Sequence, residues 1–196
     1  PAVSNPLLLD VGCAYGPFLV ESSAFGYSPT GIELISDAVN YIKSELGFPV
    51  FSGSFEDIEI DENFDIITMW YVIEHFNDPG LILSKINNLL KIGGIFAFST
   101  PNNRGISGKN NMRIFLSNSP LDHITIWNPK TAAVVLKRFG FKIKRIRITG
   151  HHSERIKGFS KIKSKTVHRI LNFCSRFFSL GDTFEVYAEK IKEIDV

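Results

Sequence analysis

Short apolar runs alternate with amphipathic segments along the first hundred residues of the chain. The runs at residues 7–9, 64–70 and 95–100 are almost continuous in apolar side chains, which is typical of strands buried on both faces of a parallel sheet. Between these runs, apolar residues recur at spacings of three and four, which predicts helices that cover the sheet. The pattern therefore indicates an α/β fold.

The chain ends in two strands of a different kind, which alternate apolar and polar side chains. Five apolar runs followed by this late pair predict an α/β three-layer sandwich with a mostly parallel sheet. One helix is expected to begin at a Ser36 or Asp37 N-cap and to end at Gly47. Strands are predicted at residues 7–10, 29–34, 49–51, 64–70, 95–100, 141–148 and 182–190, and helices at residues 17–25, 36–46, 79–90 and 129–139.

A glycine turn follows the first strand. Asp10 closes the strand, Gly12 and Gly16 bracket the turn, and Pro17 stands where proline suits the first turn of a helix. Such a turn lets backbone N–H groups approach a ligand at the carboxyl end of the strand. The alternative is a turn that only packs the helix against the strand.

The residues of this turn argue against two common nucleotide-binding loops. A dinucleotide-binding loop requires G-x-G-x-x-G, but Ala14 and Pro17 occupy the second and third glycine positions. A P-loop is excluded because no Gly-Lys-Ser/Thr follows. Glu33 closes the second strand about 20 residues after the turn, where a carboxylate in this architecture accepts hydrogen bonds from ribose hydroxyls. The alternative for Glu33 is an ordinary surface glutamate.

The composition is typical of a globular protein and bears on the compartment in which we expect it. With 196 residues, 44% of them hydrophobic and 21% charged, the chain fits one globular domain with a filled core. Cys13 and Cys174 offer no disulfide framework, residues 1–6 lack the basic start of a leader peptide, and no apolar run is long enough to span a bilayer, so we expect a cytoplasmic protein. The first strand begins so near residue 1 that we expect any N-terminal cap helix to be absent or removed.

Charge is divided unevenly along the chain. Residues 1–103 contain 3 basic and 13 acidic residues, whereas residues 104–180 contain 17 basic and 2 acidic ones. A basic half is typical of proteins that meet an anionic substrate, a membrane surface or a nucleic acid. A solvated surface without any partner is the alternative.

Five ordered motifs together resemble a known family. They are the turn segment Leu7–Gly16, Glu74–Phe76 after the fourth strand, Leu90–Gly94, Ser99–Asn102, and the segment from His123 through an aromatic-x-Pro to Gly140-Phe141. In this order and spacing they resemble class I S-adenosylmethionine-dependent methyltransferases, in the small-molecule branch that includes the ubiquinone-biosynthesis O-methyltransferases.

The resemblance implies a Rossmann-like, seven-stranded sheet whose last strand is antiparallel. It also implies S-adenosylmethionine as the cofactor, S-adenosylhomocysteine as the product, and methyl transfer to a small-molecule acceptor, most simply at oxygen. The family usually has an acid where this chain has Ser54, so the adenine contact there departs from the pattern. The predicted cofactor-binding residues are Asp10, Gly12, Cys13, Ala14, Tyr15, Gly16, Glu33, Leu34, Ser54, Phe55, Trp70 and Tyr71. Trp70 and Tyr71 are expected to form walls of the pocket, and core packing explains Trp70 equally well.

Methyl transfer from a sulfonium mainly requires alignment and exclusion of water, but a hydroxyl acceptor also needs a base. His75 and His123 lie beyond strand ends and are the candidate catalytic residues, although each alone could be a structural histidine. Some resembled enzymes bind a metal through a carboxylate three residues before the Glu-His pair. Tyr71 stands at that position here, so we predict no metal site.

Two segments are expected to determine the acceptor. Residues 103–127 begin with a polar stretch that is typical of a binding loop, and residues 149–181 form a basic insertion with an apolar helical stripe. A helix packed on the core and a lid over the acceptor pocket rank equally for this insertion. Peripheral membrane contact through residues 160–180 ranks third, and nucleic-acid binding fourth because no stacking aromatics alternate with the basic residues.

Two other functions remain open at this point. A nicotinamide-dependent oxidoreductase would use the same fold, although the missing glycines count against it. A catalytically inactive binding protein could retain the cofactor fold, although Asp10 and Glu33 are both present.

Overall fold

Seven strands form one mixed sheet in the computed structural model, which describes residues 5–152, 155 and 164–194. The strands are β1 (Leu7–Val11), β2 (Ser28–Glu33), β3 (Val50–Ser52), β4 (Phe64–Trp70), β5 (Leu90–Pro101), β6 (Phe141–Thr149) and β7 (Thr183–Lys190). Their order across the sheet is β3-β2-β1-β4-β5-β7-β6. Strand β7 runs antiparallel to β5 and to β6, and the pairs among β1 to β5 are parallel.

Helices cover both faces of this sheet. They are α1 (Pro17–Ala24), α2 (Ser36–Tyr41), α3 (Pro79–Leu89), α4 (Ile106–Asn110), α5 (Met112–Ser117), α6 (Pro129–Arg138) and α7 (Lys165–Phe177). Buried side chains of α3 and α6 join the larger apolar core, and those of α1 and α2 join a smaller core with Cys13 and Val50. The predicted α/β three-layer sandwich with an antiparallel last strand is thereby confirmed.

The start of α2 differs from the sequence-based expectation. Ile35 is the N-cap, no side chain caps the helix, and neither Ser36 nor Asp37 acts as predicted. The backbone N–H groups of Leu34 and Ile35 instead donate to the Glu33 carboxylate. The predicted end of the helix at Gly47 is confirmed, with a π-helical turn over Ile42–Leu46 before it.

Two further segments differ from the sequence-based expectation. Strand β5 begins at Leu90, where Leu90 pairs with Phe64, instead of at residue 95 as predicted. Gly93 takes a φ of 81° inside this strand. The polar stretch that begins at residue 103 contains the short helices α4 and α5 instead of a structureless loop. Of the basic insertion, residues 153–154 and 156–163 lie outside the described residues, and α7 confirms its predicted helix.

Within the described part of the chain, no helix combines the length and the apolar character needed to cross a membrane.

A buried lysine ties the end of β7 to the end of α3. The Lys190 side chain is 1% exposed, and its Nζ donates to the carbonyl oxygens of Asn87 and Leu90 at 2.5 and 2.7 Å. Its Nζ also lies 2.7 Å from a Glu193 carboxylate oxygen. Asn87 lies in the last turn of α3 and Leu90 is its C-cap, at the end of the helix where the regular series of intrahelical donors stops.

Replacing Lys190 by alanine should therefore destabilise the fold. We expect Lys190→Ala to lower the free energy of unfolding by about 2–4 kcal/mol, because the carbonyl oxygens of Asn87 and Leu90 lose a buried charged donor. Urea denaturation measures the change. Lys192→Ala, at an exposed neighbouring position, is the matched control and should stay within about 0.5 kcal/mol of the parent. Equal losses in both variants would contradict this role of Lys190.

Candidate functional site

The glycine turn after β1 is built so closely that only glycine fits at its first position. Gly12 has a φ of 73°, and a Cβ atom there would lie 2.5 Å from Cγ2 of Val72. The N–H groups of Gly12 and Cys13 both donate to the carbonyl oxygen of Ile32, at 2.8 and 3.1 Å. The turn is therefore fastened to the neighbouring strand β2 and leads into α1 through Gly16, which also has a positive φ.

Glu33 points into this turn. Its Oε2 accepts a hydrogen bond of 2.8 Å from the N–H of Ala14, a residue with a φ of 48°. Its Oε1 accepts hydrogen bonds from the N–H groups of Leu34 and Ile35, at 2.8 and 2.9 Å. The structure thus brings together the turn and the carboxylate that the sequence singled out.

Asp10 lies buried beneath the turn, 2% exposed. Its Oδ1 accepts a hydrogen bond of 2.6 Å from the Thr68 hydroxyl. Burial raises the pKa of Asp10 to about 7, and the nearby Glu33 charge adds to this, whereas the Thr68 hydrogen bond opposes it. Burial together with both carboxylates also raises the pKa of the Cys13 thiol to about 12, so Cys13 contributes a neutral side chain.

A cavity of about 70 Å³ opens between the glycine turn and the ends of β2 and β3. Leu34 is 69% exposed at its rim, whereas Phe55 is buried and packs against Phe76, so Phe55 forms the floor. Ser54 accepts a hydrogen bond from the N–H of Glu56. The predicted cofactor residues that line this cavity are Gly12, Glu33, Leu34, Ser54 and Phe55.

Three predicted cofactor residues take other positions. Tyr15 is 55% exposed and packs edge-to-face against Tyr41, at 5.7 Å between ring centroids. Tyr71 is half-exposed just after β4, with a φ of 59°. The Trp70 ring packs against Phe18 and Tyr187 in a separate, mostly apolar cavity of about 280 Å³. The structure thus places the Trp70 side chain outside the cavity beside Glu33.

The two candidate catalytic histidines meet beyond the end of β4. Their ring centroids are 4.8 Å apart and their planes are nearly perpendicular. Nδ1 of His75 lies 3.0 Å from the backbone oxygen of Asp122 and 3.3 Å from its carboxylate. Desolvation lowers the pKa of His123, and His75 lowers it further while Asp122 opposes the shift, so the imidazole of His123 is neutral near pH 7.

Glu74 is a third member of this group, and the sequence reasoning did not give it a role. Its side chain is 1% exposed, and neither carboxylate oxygen has a hydrogen-bond partner among the described residues. Burial raises the pKa of Glu74, while the nearby Thr100 hydroxyl and His75 oppose the shift. Its position directly before His75 in the Glu-His motif is the sequence signal that could have found it.

A larger cavity lies next to His123. It measures about 640 Å³, a size that suits a small-molecule ligand. At its far side the Arg155 guanidinium forms an ion pair of 2.9 Å with Asp182, which also accepts a hydrogen bond from the Ser107 hydroxyl. Most of its wall comes from α4, α5 and the loop to His123, which belong to the predicted acceptor segment 103–127.

The fold and this site define a Rossmann-like domain with two cavities at the carboxyl edge of one sheet, one beside Glu33 and one beside His123. Residues 3–146 match the Methyltransferase domain family. A ubiquinone biosynthesis O-methyltransferase of Nitrobacter winogradskyi is 34% identical over 100 residues, which cover 48% of this chain and 38% of that protein. The match to the family spans most of the chain, which therefore belongs to the Methyltransferase domain family.

Solved structures confirm the fold. A SAM-dependent methyltransferase of Archaeoglobus fulgidus has a TM-score of 0.67 at 20% identity, over 95% of this chain and 86% of that one. The [4+2]-cyclase SpnF has a TM-score of 0.66 at 16% identity, over 95% and 76% of the two chains. Proteins named for different reactions thus share this fold, so the reaction must be argued from the site.

The family match confirms the predicted class, a methyltransferase, and supports S-adenosylmethionine as its cofactor. It does not favour the nicotinamide-dependent oxidoreductase. The aligned region spans 38% of the Nitrobacter winogradskyi protein's length, so the activity and acceptor of the whole protein are matters for proposal.

The raised pKa of Asp10 predicts how stability changes with pH. The folded state retains a proton that the unfolded chain releases above its ordinary pKa of 3.8, so stability should fall between about pH 4 and pH 7 and then level off. Asp10→Asn cannot ionise. We therefore expect it to gain on the order of 4 kcal/mol over the parent across this window.

Urea unfolding of both proteins from pH 5 to pH 8 measures this difference. Titrating groups that lie far from Asp10 remain in both proteins and cancel in the difference. Asp61→Asn, at an exposed position, is the control and should keep the parent profile. A constant offset between parent and Asp10→Asn at every pH would refute the assignment.

Proposed function

We propose that this domain transfers a methyl group from S-adenosylmethionine to an oxygen of a small-molecule acceptor. The observation that carries the proposal is the Glu33 carboxylate, which is directed at the backbone of the glycine turn. Membership of the Methyltransferase domain family and the resemblance to ubiquinone-biosynthesis O-methyltransferases support the same reaction.

On the cofactor side, the site offers two carboxyl groups, those of Glu33 and Asp10. A carboxylate has about four lone-pair positions, and three of those on Glu33 are engaged by N–H groups, which leaves capacity for a ribose hydroxyl. Ionised Asp10 would attract a cation above it. S-adenosylmethionine, when bound, supplies a methyl group on a positively charged sulfur, so these two acids suit its charge and its ribose.

On the acceptor side, the cavity beside His123 is the place where a second molecule fits. A hydroxyl acceptor must lose its proton during methyl transfer, since its neutral oxygen is a weak nucleophile. His75 and His123 are the groups placed to promote that loss, and we retain both as candidate catalytic residues.

The proposed chemistry of the acceptor rests on the net charge of the part of the chain that carries the cavity. Residues 104–180 are strongly basic, and this half of the chain supplies most of the cavity wall. We propose an acceptor with anionic or lipid-like character, because anions, including anionic lipids, accumulate at a cationic surface. A cytoplasmic location stays a prediction, compatible with the two free cysteines.

Helix α7 supports a membrane contact of the same kind. Its outer side combines exposed apolar residues with basic ones, which is typical of helices that lie in the interface of an anionic membrane. The exposed apolar residues are Ile170, Phe173 and Phe177, and the exposed basic ones are Lys165, Arg169 and Arg176. Val167, Leu171 and Cys174 turn inward and are partly buried.

Binding of S-adenosylhomocysteine tests the cofactor proposal directly. We expect the parent to bind it, and Glu33→Gln and Glu33→Ala to bind it at least about tenfold more weakly, because a charge-assisted hydrogen bond is lost. Isothermal titration calorimetry measures the affinities. Glu62→Gln, at an exposed position, is the matched control. Tighter binding of NAD than of S-adenosylhomocysteine, or an unchanged affinity in both Glu33 variants, would sink the proposal.

Vesicle sedimentation tests the membrane contact. We expect the parent to bind phosphatidylglycerol-containing vesicles better than pure phosphatidylcholine vesicles, and added salt to weaken the binding. The double variant Phe173→Ser/Phe177→Ser should bind at least about tenfold more weakly, since two phenyl rings no longer enter the interface. Leu121→Ser, which removes a fully exposed apolar side chain elsewhere, is the control. Equal binding to both kinds of vesicle would contradict the contact.

A further inference from the structure

The larger cavity beside His123 has one strongly cationic side chain in its wall. Among the described residues that line this cavity, Arg155 is the only lysine or arginine and Asp182 is the only acid. Apolar side chains such as Ile114 and Phe115, together with amide and hydroxyl groups, supply most of the remaining wall. In a cavity of this kind, a few polar groups fix the orientation of a ligand.

Asp182 anchors the Arg155 guanidinium. The Asp182 residue is 5% exposed, and its Oδ2 accepts hydrogen bonds from Arg155 Nη1 and from the Ser107 hydroxyl, at 2.9 and 2.6 Å. Its Oδ1 accepts a hydrogen bond of 2.8 Å from the N–H of Ser107, in the first turn of α4, where backbone N–H groups have no intrahelical acceptor. The buried carboxylate is thus fully engaged, and it fixes one end of the guanidinium.

Arg155 is also held through its backbone, which leaves one edge of its guanidinium available. Its carbonyl oxygen accepts a hydrogen bond of 2.6 Å from Asn110 Nδ2. Its Nη1 donates to Asp182 and, at 3.1 Å, to the Ser107 Oγ, which uses both N–H groups of that nitrogen. Nε and Nη2 make no hydrogen bond to the described residues. Their N–H groups lie side by side, an arrangement that matches two oxygens of one anion.

A role as counter-ion of Asp182 does not account for this arrangement. A lysine would neutralise the carboxylate equally well, whereas the Arg155 side chain stays 49% exposed and retains unused donors on the cavity wall. Residues 104–180 also contain 17 basic and only 2 acidic residues, so a bound anion lowers the repulsion within this part of the chain.

The charge around Arg155 indicates the class of anion. Because its positive charge is already shared with Asp182, a group with two negative charges meets more repulsion from that carboxylate than a group with one. A planar carboxylate carries one negative charge and fits the flat Nε–Nη2 edge with both oxygens.

We propose that Arg155 binds a carboxylate of the acceptor through Nε and Nη2 and thereby determines which hydroxyl compounds occupy the cavity. The proposal rests on the proposed function in treating this cavity as the acceptor site. Binding of the carboxylate requires no methyl transfer, so the two proposals can fail separately.

Three phenols of matched shape test the proposal. They are 4-hydroxyphenylacetate, its uncharged amide 4-hydroxyphenylacetamide, and 4-hydroxybenzylphosphonate, which can carry a second negative charge. Isothermal titration calorimetry, with and without saturating S-adenosylhomocysteine, measures their affinities. We expect the parent to bind the carboxylate at least about tenfold more tightly than the amide, and also more tightly than the phosphonate.

Two substitutions of Arg155 separate binding from a structural role. Arg155→Gln should abolish the preference for the carboxylate over the amide, and Arg155→Lys, which keeps the charge but loses the paired donors, should lose most of it. Urea unfolding checks that each variant is folded. Arg113→Gln removes the same charge from an exposed position of α5 that does not line the cavity, and as the matched control it should keep the parental preference.

Each outcome decides the question. A purely structural role of Arg155 would weaken the binding of all three phenols equally, and this unchanged preference would overturn the proposal. Failure of the parent to bind 4-hydroxyphenylacetate saturably, or an equal loss of preference in Arg113→Gln, would overturn it as well. Tighter binding of the phosphonate would overturn the assigned class of anion. Failure of the parent to bind S-adenosylhomocysteine would count against the proposed function and leave the preference for the carboxylate intact.

Discussion

The carboxyl edge of the sheet depends on one side chain that accepts three backbone hydrogen bonds. Glu33 joins the turn after β1, through Ala14, to the start of α2, through Leu34 and Ile35. The bonds fix the Glu33 carboxylate at the wall of the cavity beside the turn, and they satisfy N–H groups that would otherwise need a capping side chain. The same charge, close to Asp10, helps to raise the pKa of that buried acid.

Much of the fold was predictable because its signals are local. The apolar runs predicted the buried strands, and Pro17 predicted the start of α1. The second helix ends at Gly47, as expected. The N-cap of α2 was not predictable, because its N–H groups are satisfied by the last residue of the preceding strand. Helices α4 and α5 have only five and six residues, too few for a periodic pattern to emerge.

The candidate site likewise contains residues that the sequence predicted and contacts that it did not. Asp10, the glycine turn and Glu33 come from a single strand-turn-helix-strand unit, so one motif predicts all of them. The approach of His123 to Glu74 depends on hydrogen bonds between segments about fifty residues apart, which spacing alone does not reveal. The direction of Trp70 was equally hidden, because strand alternation tells which residues share a face but not which face carries the ligand.

The position of β7 between β5 and β6 has a consequence for how the chain folds during synthesis. Strand β6 pairs only with β7 among the described strands, so it cannot join the sheet until residues 183–190 have left the ribosome. Until then the edge of β5 is open to other strands, and an open edge invites aggregation. A chain that terminates before residue 183 would thus leave the edge of β5 unpaired and prone to aggregation. Pairing of the eight-residue strand β7 with β5 covers this edge.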